Sequence, residues 1–398
     1  MENDPSPVSD APSSVPDESP QRFRFTGSGG EYFRIWIVNL LLTILTFGIY
    51  SAWAKVRRLQ YFYRHTEVAG SSFDYHGSPL SILAGRAVAF VLLIAYNASG
   101  KISFAATFIA LAVMVMVLPW LLRNSFRFRL RYSSYRGLRF SFKAGNAQAY
   151  STFLPYGFFA LLFVGLTAWA FNGQMPTDPE ESVDAQKAMI FAGLMGTIAV
   201  AYALVIPLLH QRLKRFQHGN AWFGLTPFSF GATAGRFYAI YAMTGLIWVG
   251  AAFGIGIVAA IAAGVGGLVA REGGSEAVYG VLTLVAPAYL LLFAITGAYF
   301  SARIANLVWN GTRLGEHRFE SQLRVLPLMW IMLTNMLLVL ITLGLYMPWA
   351  AVRLARYRAE NLVLHPAGSL EAFLASAEGE VGAVGEETLD MFDFDIGL

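Results

Sequence analysis

Six stretches of the chain, residues 83–99, 103–122, 150–171, 188–209, 237–262 and 278–300, are almost wholly apolar and contain neither Asp nor Glu. A bilayer core of about 30 Å takes about 20 residues of helix to cross. In hydrocarbon a helix satisfies its own backbone groups, and these runs are long and continuous. The short alternating segments of an outer-membrane barrel look different, so the pattern predicts six transmembrane helices. The run from Phe237 to Ala270 exceeds one span, and its Gly-rich end (Gly264, Gly266, Gly267) predicts a looser extension. Arg86, near the start of the first run, is expected to snorkel to the interface.

Two further apolar segments, Ile35 to Ala54 and Leu326 to Ala350, repeat one another without a gap. Thr46-Phe47-Gly48-Ile49-Tyr50 with Trp53 and Arg57 answers to Thr342-Leu343-Gly344-Leu345-Tyr346 with Trp349 and Arg353, and the same offset pairs Asn39 with Asn335. The internal repeat covers 33–57 and 329–353. Basic residues flank each copy on both sides, which suits re-entrant or interfacial hairpins turning at Thr-x-Gly. Only Lys101, Lys187 and Arg271 then fall on the far side, with 25 of the 29 Lys and Arg on the near one; if both copies cross, the fold has eight spans and the split falls to 19 against 9. Basic residues near span ends face the cytoplasm, so the distribution favours hairpins, cytoplasmic termini and a two-fold relation between the copies about the membrane normal.

Between the apolar segments an aromatic-x-aromatic pattern recurs beside glycine: Phe23-Arg24-Phe25, Phe73-Asp74-Tyr75, Phe140-Ser141-Phe142 and Phe228-Ser229-Phe230, with Arg318-Phe319-Glu320-Ser321 a degenerate fifth copy. Alternation next to Gly-containing turns predicts short β-hairpins on the basic side. The fold class expected is an all-α polytopic membrane protein, six transmembrane helices plus two hairpins, with a small β-rich cap.

Composition fits: 56% of residues are hydrophobic and only 14% charged. There is no cysteine, which excludes disulfides, thiolate ligands and thiol nucleophiles. No Walker A, His-Glu-x-x-His or Gly-x-Ser-x-Gly sequence occurs, so no enzyme, cofactor or metal is expected. The arginine-rich stretch from Arg123 to Arg139 is explained by span ends and anionic lipid headgroups, and no nucleic-acid partner is expected. Candidate residues for a polar cavity are Asn39, Asn335, Thr46, Thr342, Tyr50 and Tyr346; Gly48, Trp53, Arg57, Gly344, Trp349 and Arg353 complete the interfacial motif. A small-solute facilitator is one functional reading. The other is a non-catalytic scaffold or regulator recruiting a protein through the basic face or through 371–398, where eight acidic residues meet no basic one. Residues 1–21, acidic and Pro-rich, and 366–398 are expected to be disordered tails around an integral membrane domain at 22–365, with 371–398 dispensable for folding.

Phe-x-Phe-x-Gly at 23–27, Glu31-Tyr32-Phe33, Asn39 to Thr43, the Thr46–Tyr50 turn with Trp53-Ala54, the strand from Gly137 to Phe142 and Gly315-Glu316-His317-Arg318-Phe319 together resemble the YjgN-like family of bacterial inner-membrane proteins, a domain of unknown function. The resemblance implies a multi-pass inner-membrane protein and brings no catalytic or binding residues with it.

Overall fold

One unit recurs five times: a short strand, a helical hairpin and a returning strand that turns directly into the next unit. The computed structural model describes residues 19–170, 185–269, 274–371 and 373–377. In chain order the units are β2 (Arg24–Phe25), α1 (Gly29–Leu45), α2 (Ser51–Arg64) and β3 (Thr66–Val68); β4 (Ser71–Tyr75), α3 (Pro79–Ser99), α4 (Phe104–Arg131) and β5 (Ser133–Tyr135); β6 (Leu138–Phe142), α5 (Asn146–Ala170), α6 (Ala185–Gly219) and β7 (Ala221–Phe223). The fourth and fifth follow as β8 (Thr226–Phe230), α7 (Ala234–Val269), α8 (Gly274–Asn310) and β9 (Thr312–Leu314), then β10 (His317–Ser321), α9 (Val325–Ile341), α10 (Met347–Glu360) and β11 (Leu362–His365). Two-residue turns join successive units. Ala69-Gly70 and Arg136-Gly137 have positive φ at both positions, which matches the twist of a tight hairpin.

All neighbouring strands pair antiparallel, and the sheet closes on itself. β1 (Gln21–Arg22) and β2 are separated only by Phe23, yet β1 pairs with β11 while β2 pairs with β3. Closure removes the exposed edges that would otherwise invite aggregation. The helices leave the barrel at one end and the two-residue turns lie at the other. Around the helical end the hairpins form a ring, with α2 against α3, α4 against α5, α6 against α7, α8 against α9 and α10 against α1.

Period-two alternation sends one face of every strand inward. Phe23, Phe73, Phe140, Phe228 and Phe319, one from each unit, stand side by side, with successive ring centroids 6.3, 6.4, 6.4 and 6.3 Å apart. Val68, Tyr135, Phe223, Leu314 and Leu364 of the returning strands share this core. Arg318-Phe319-Glu320-Ser321 is therefore a full structural copy despite Ser321. The second aromatic of each motif sits one layer nearer the helices: Phe25 packs on Tyr32 and Tyr61, and Tyr75 on Ala52, Ile82 and Phe128.

Among the described residues six helices are long and apolar enough to cross a membrane, Pro79–Ser99, Phe104–Arg131, Asn146–Ala170, Ala185–Gly219, Ala234–Ile261 and Pro287–Asn310, and the fold is that of a polytopic membrane protein. Each overlaps one of the six apolar stretches, the last covering only the part of 278–300 from Pro287 onward, and all belong to the middle three units. The helices of the first and fifth units are shorter, 17 and 14 residues in each. At 1.5 Å per residue the longer of these reaches about 25 Å, short of the hydrocarbon core.

Three expectations are corrected. The run beyond Phe237 is continuous helix as far as Val269, with Gly264, Gly266 and Gly267 inside it. The two hairpin copies are successive members of a ring of five, in contact through α10 and α1, which replaces the two-fold relation by one step around the ring. The fold also extends past His365. Residues 370–371 and 373–377 are helical, Leu374 and Ala377 are buried in the barrel core, and Phe373 packs on Phe223 and His317. Because Phe223 and His317 adjoin the two-residue turns, this C-terminal segment caps the barrel at the end away from the helices. The tail at 1–18 and the acidic stretch at 378–398 lie outside the described residues.

Candidate functional site

The Thr-x-Gly motif makes the sharp turn of each short hairpin. Thr46 donates from Oγ1 to the Leu42 carbonyl (2.7 Å) and accepts from the Tyr50 N–H (2.9 Å), tying the end of α1 to the start of α2. Thr342 repeats both bonds at 2.6 and 3.0 Å. Phe47 and Gly48, like Leu343 and Gly344, have φ near +50° and +90°. Glycine adopts that conformation without strain, and the Gly48 and Gly344 N–H groups close the turn onto the carbonyls of Thr43 and Val339. Thr46 and Thr342 are thus the residues that close the turn of each short hairpin. Tyr50 stacks on Trp53 and Tyr346 on Trp349 one helical turn later. Trp349 lies against Phe33 of the next unit (4.8 Å) and over Gly29, where a Cβ would approach its ring to 2.2 Å.

The two asparagines part company. Asn335 donates to the Ala350 carbonyl (3.2 Å), and its Oδ1 accepts from the Arg353 guanidinium (2.8 Å), so it braces its own hairpin. Arg57, the counterpart of Arg353, instead lies over the Tyr50 ring, and Asn39 is buried with an Oδ1 that has no hydrogen-bond partner.

Asn39 lines a cavity of about 650 Å³ between four consecutive helices of the ring, α10, α1, α2 and α3. α1 supplies Tyr32, Trp36, Asn39 and Thr43; α2 supplies Ser51, Lys55 and Arg58; Arg86 enters from α3, and Met347 and Ala351 from α10. The lining holds three cationic side chains and no carboxylate. Arg86 is tied to the tip of the first short hairpin: its guanidinium donates to Ser51 Oγ, whose hydroxyl in turn donates to the Gly48 carbonyl. A separate groove of about 510 Å³ lies along the other side of the same hairpin, lined by Arg34, Arg57 and Arg64. Like charges gathered in a partly dry cavity repel, and an anion relieves that cost.

Tyr61 and Tyr357 hold each short hairpin to the barrel. The Tyr61 hydroxyl accepts from the Ser28 N–H and donates to the Ser28 carbonyl, both at 2.8 Å, and Tyr357 does the same at Arg324, both at 3.0 Å. Burial, with Glu31 beside it, pushes the Tyr61 phenol up to about 12, so it keeps the proton it donates.

The six histidines are dispersed, and among the described residues no three metal-ligating side chains gather. His317 accepts the Ala367 N–H at Nδ1 (3.0 Å) beneath Phe373. Burial lowers its pKa below the usual 6.5, with Glu316 opposing. Its protonated form is therefore disfavoured while the C-terminal segment is docked. The docked state holds its full contribution above about pH 6.5 and loses it as pH falls further. Hydrogen exchange at 370–377 is expected to be faster at pH 5 than at pH 7.5, and His317→Gln is expected to flatten that difference.

Residues 20–391 match the family described as "Bacterial protein of unknown function (DUF898)". The inner membrane protein YjgN of Salmonella typhimurium (strain LT2) is 23% identical over 356 residues, covering 85% of this chain and 86% of that protein. The YjgN proteins of Escherichia coli O157:H7 and K12 are 26% and 27% identical over 218 residues, 54% of this chain and 52% of each of theirs. No solved structure matches.

Proposed function

Because the chain belongs to the bacterial DUF898 family, and its matched relatives are inner membrane proteins, we propose that it is a multi-pass inner-membrane facilitator for small anions. In this reading the barrel and both termini face the cytoplasm and anionic lipid headgroups, α1–α2 and α9–α10 re-enter from that side, and no bond is made or broken. The observation that carries it is the cavity of Lys55, Arg58 and Arg86, with Asn39 and its unpartnered Oδ1 in the lining, set where the first and last units meet. Irregular backbone at membrane depth is tolerated where it is buried in protein or lines a cavity, and the Thr46–Tyr50 turn adjoins this one. Asn335 supports the reading only indirectly, as the braced copy against which Asn39 stands out.

Flux through proteoliposomes tests the proposal. Anions from a panel of small inorganic and organic ions are expected to leave loaded vesicles faster than from protein-free ones, and cations are not. Lys55→Gln and Arg86→Gln are expected to reduce the anion rate at least tenfold. Equal rates with and without protein would reject the facilitator.

A second reading, a scaffold that recruits a partner through 371–398, has support from the seven acidic residues that follow Ala377. With the first turns of that segment docked in the barrel, the recruiting surface in this reading is 378–398. Pull-downs from the host with the full chain and with one ending at Ala377 separate the two: loss of a bound partner favours the scaffold, and identical partners remove it.

A further inference from the structure

We infer that the cavity between α10, α1, α2 and α3 is a site for a phosphate group, free or carried on a lipid headgroup. This deepens the anion reading above by naming the ligand class. Three features of the cavity bear on the choice among anions.

The first is charge. Lys55, Arg58 and Arg86 come from two helices and meet no carboxylate in the lining, so a ligand carrying more than one negative charge, or one charge spread over several oxygens, matches them best. Guanidinium groups present paired N–H donors suited to carboxylate and phosphate oxygens. The second is size. At about 650 Å³ the space is that of a small-molecule site and leaves a monatomic anion poorly held.

The third is Asn39. Its Oδ1 is an acceptor without a donor, in a residue 6% exposed, whereas the same atom of Asn335 receives Arg353. A buried acceptor left unpaired costs about 1 to 3 kcal/mol; Oδ1 itself is closed off from the cavity that Asn39 lines, and a turn of the side chain toward that space relieves the cost only against a ligand that brings a donor of its own. Chloride, nitrate and sulfate have none at neutral pH. Monoprotonated phosphate has its P–OH, and phosphatidylglycerol and phosphatidylethanolamine carry hydroxyl or ammonium donors beside the phosphate; phosphatidylcholine carries no such donor. Ser51, already between Arg86 and the Gly48 carbonyl, fixes the guanidinium at the cavity wall without neutralising it.

The test is binding by the full-length protein in a neutral detergent, read as thermal unfolding and by native mass spectrometry, with inorganic phosphate, sulfate, phosphatidylglycerol and phosphatidylcholine as probes. Stabilisation by phosphate that exceeds sulfate at least tenfold in affinity identifies a free-phosphate site. Stabilisation by phosphatidylglycerol alone, with phosphatidylcholine at least tenfold weaker, identifies the headgroup as the source. Lys55→Gln and Arg86→Gln are expected to weaken either ligand at least tenfold, Asn39→Leu to erase the preference over sulfate or phosphatidylcholine, and Arg34→Gln in the opposite groove to change nothing. If Arg86→Gln does not fold, Lys55→Gln and Asn39→Leu decide. Equal binding of phosphate and sulfate together with equal binding of the two lipids, no binding by any probe, or binding unchanged in the cavity variants overturns the inference. Phosphate binding without flux would leave this site and reject the facilitator; anion flux without phosphate preference would do the reverse.

Discussion

Removing residues 370–398 is expected to lower the unfolding free energy of the detergent-solubilised protein by about 3 to 5 kcal/mol. Leu374 and Ala377 are 4% and 2% exposed inside the barrel core, and Leu370 and Phe373 pack beside them. Burying a Leu or Phe side chain contributes about 1.5 to 3 kcal/mol, and such figures are upper bounds because the unfolded chain already hides some apolar surface. Leu374→Asp is expected to reproduce most of the loss, since it places an unpaired carboxylate in the same core. Denaturation midpoints of the truncated and full chains check this. Unchanged midpoints would return the segment to the role its acidity suggests, a dispensable tail.

Phe223→Ala is expected to cost a further 3 to 5 kcal/mol or so, the usual range for emptying a buried Phe site. Phe223 is 2% exposed, with its ring 4.9 Å from Phe140, 6.2 Å from Tyr135 and 6.3 Å from Phe373. It therefore joins the phenylalanine ring to the C-terminal cap. Combining Phe223→Ala with the truncation is expected to cost less than the sum of the two, because each removes the other's contact. Strict additivity in thermal or chemical unfolding would mean that the cap does not rest on Phe223.

The spanning helices are legible because hydrocarbon imposes length and apolarity locally, residue after residue. The hairpin turn is legible for a similar reason: one Thr hydroxyl and one positive-φ Gly do the work within five residues. Closure of the barrel is not. It rests on backbone pairing between Gln21–Arg22 and Val363–Leu364, at opposite ends of the chain, and β1 and β2 are two residues each. Nor does the sequence disclose that the long helical hairpins and the short ones occupy the same place in one repeated unit, since helix length and composition diverge while the Phe-x-Phe strands stay alike.

At the site the sequence picks out Asn39 and its repeat partner but treats them as equals. Their difference comes from rotamers, Arg353 turning to Asn335 while Arg57 turns to Tyr50. No motif joins Lys55, Arg58 and Arg86 in the sequence, and a lone Arg in an apolar helix reads as a snorkelling side chain until the helix beside it is known. The one signal the sequence offers is the repeat itself. Ser51 and Lys55 of the first copy answer to Met347 and Ala351 in the second, so at these two positions the hydroxyl and the charge occur in the first copy alone.

Cysteine accessibility tests the architecture most directly, and the chain offers a cysteine-free background. Single cysteines at Arg24, Arg139 and Arg313 on the outside of the barrel, at Asp178 and Gly273 between spans, and at Phe47 at a hairpin tip are treated with a membrane-impermeant maleimide in spheroplasts. Asp178→Cys and Gly273→Cys are expected to react in intact spheroplasts, Arg24→Cys, Arg139→Cys and Arg313→Cys only after permeabilisation, and Phe47→Cys in neither. Labelling of Arg24→Cys in intact spheroplasts, or of Phe47→Cys from the periplasm, would show that the first hairpin does not turn inside the membrane and would contradict the fold proposed for the cavity.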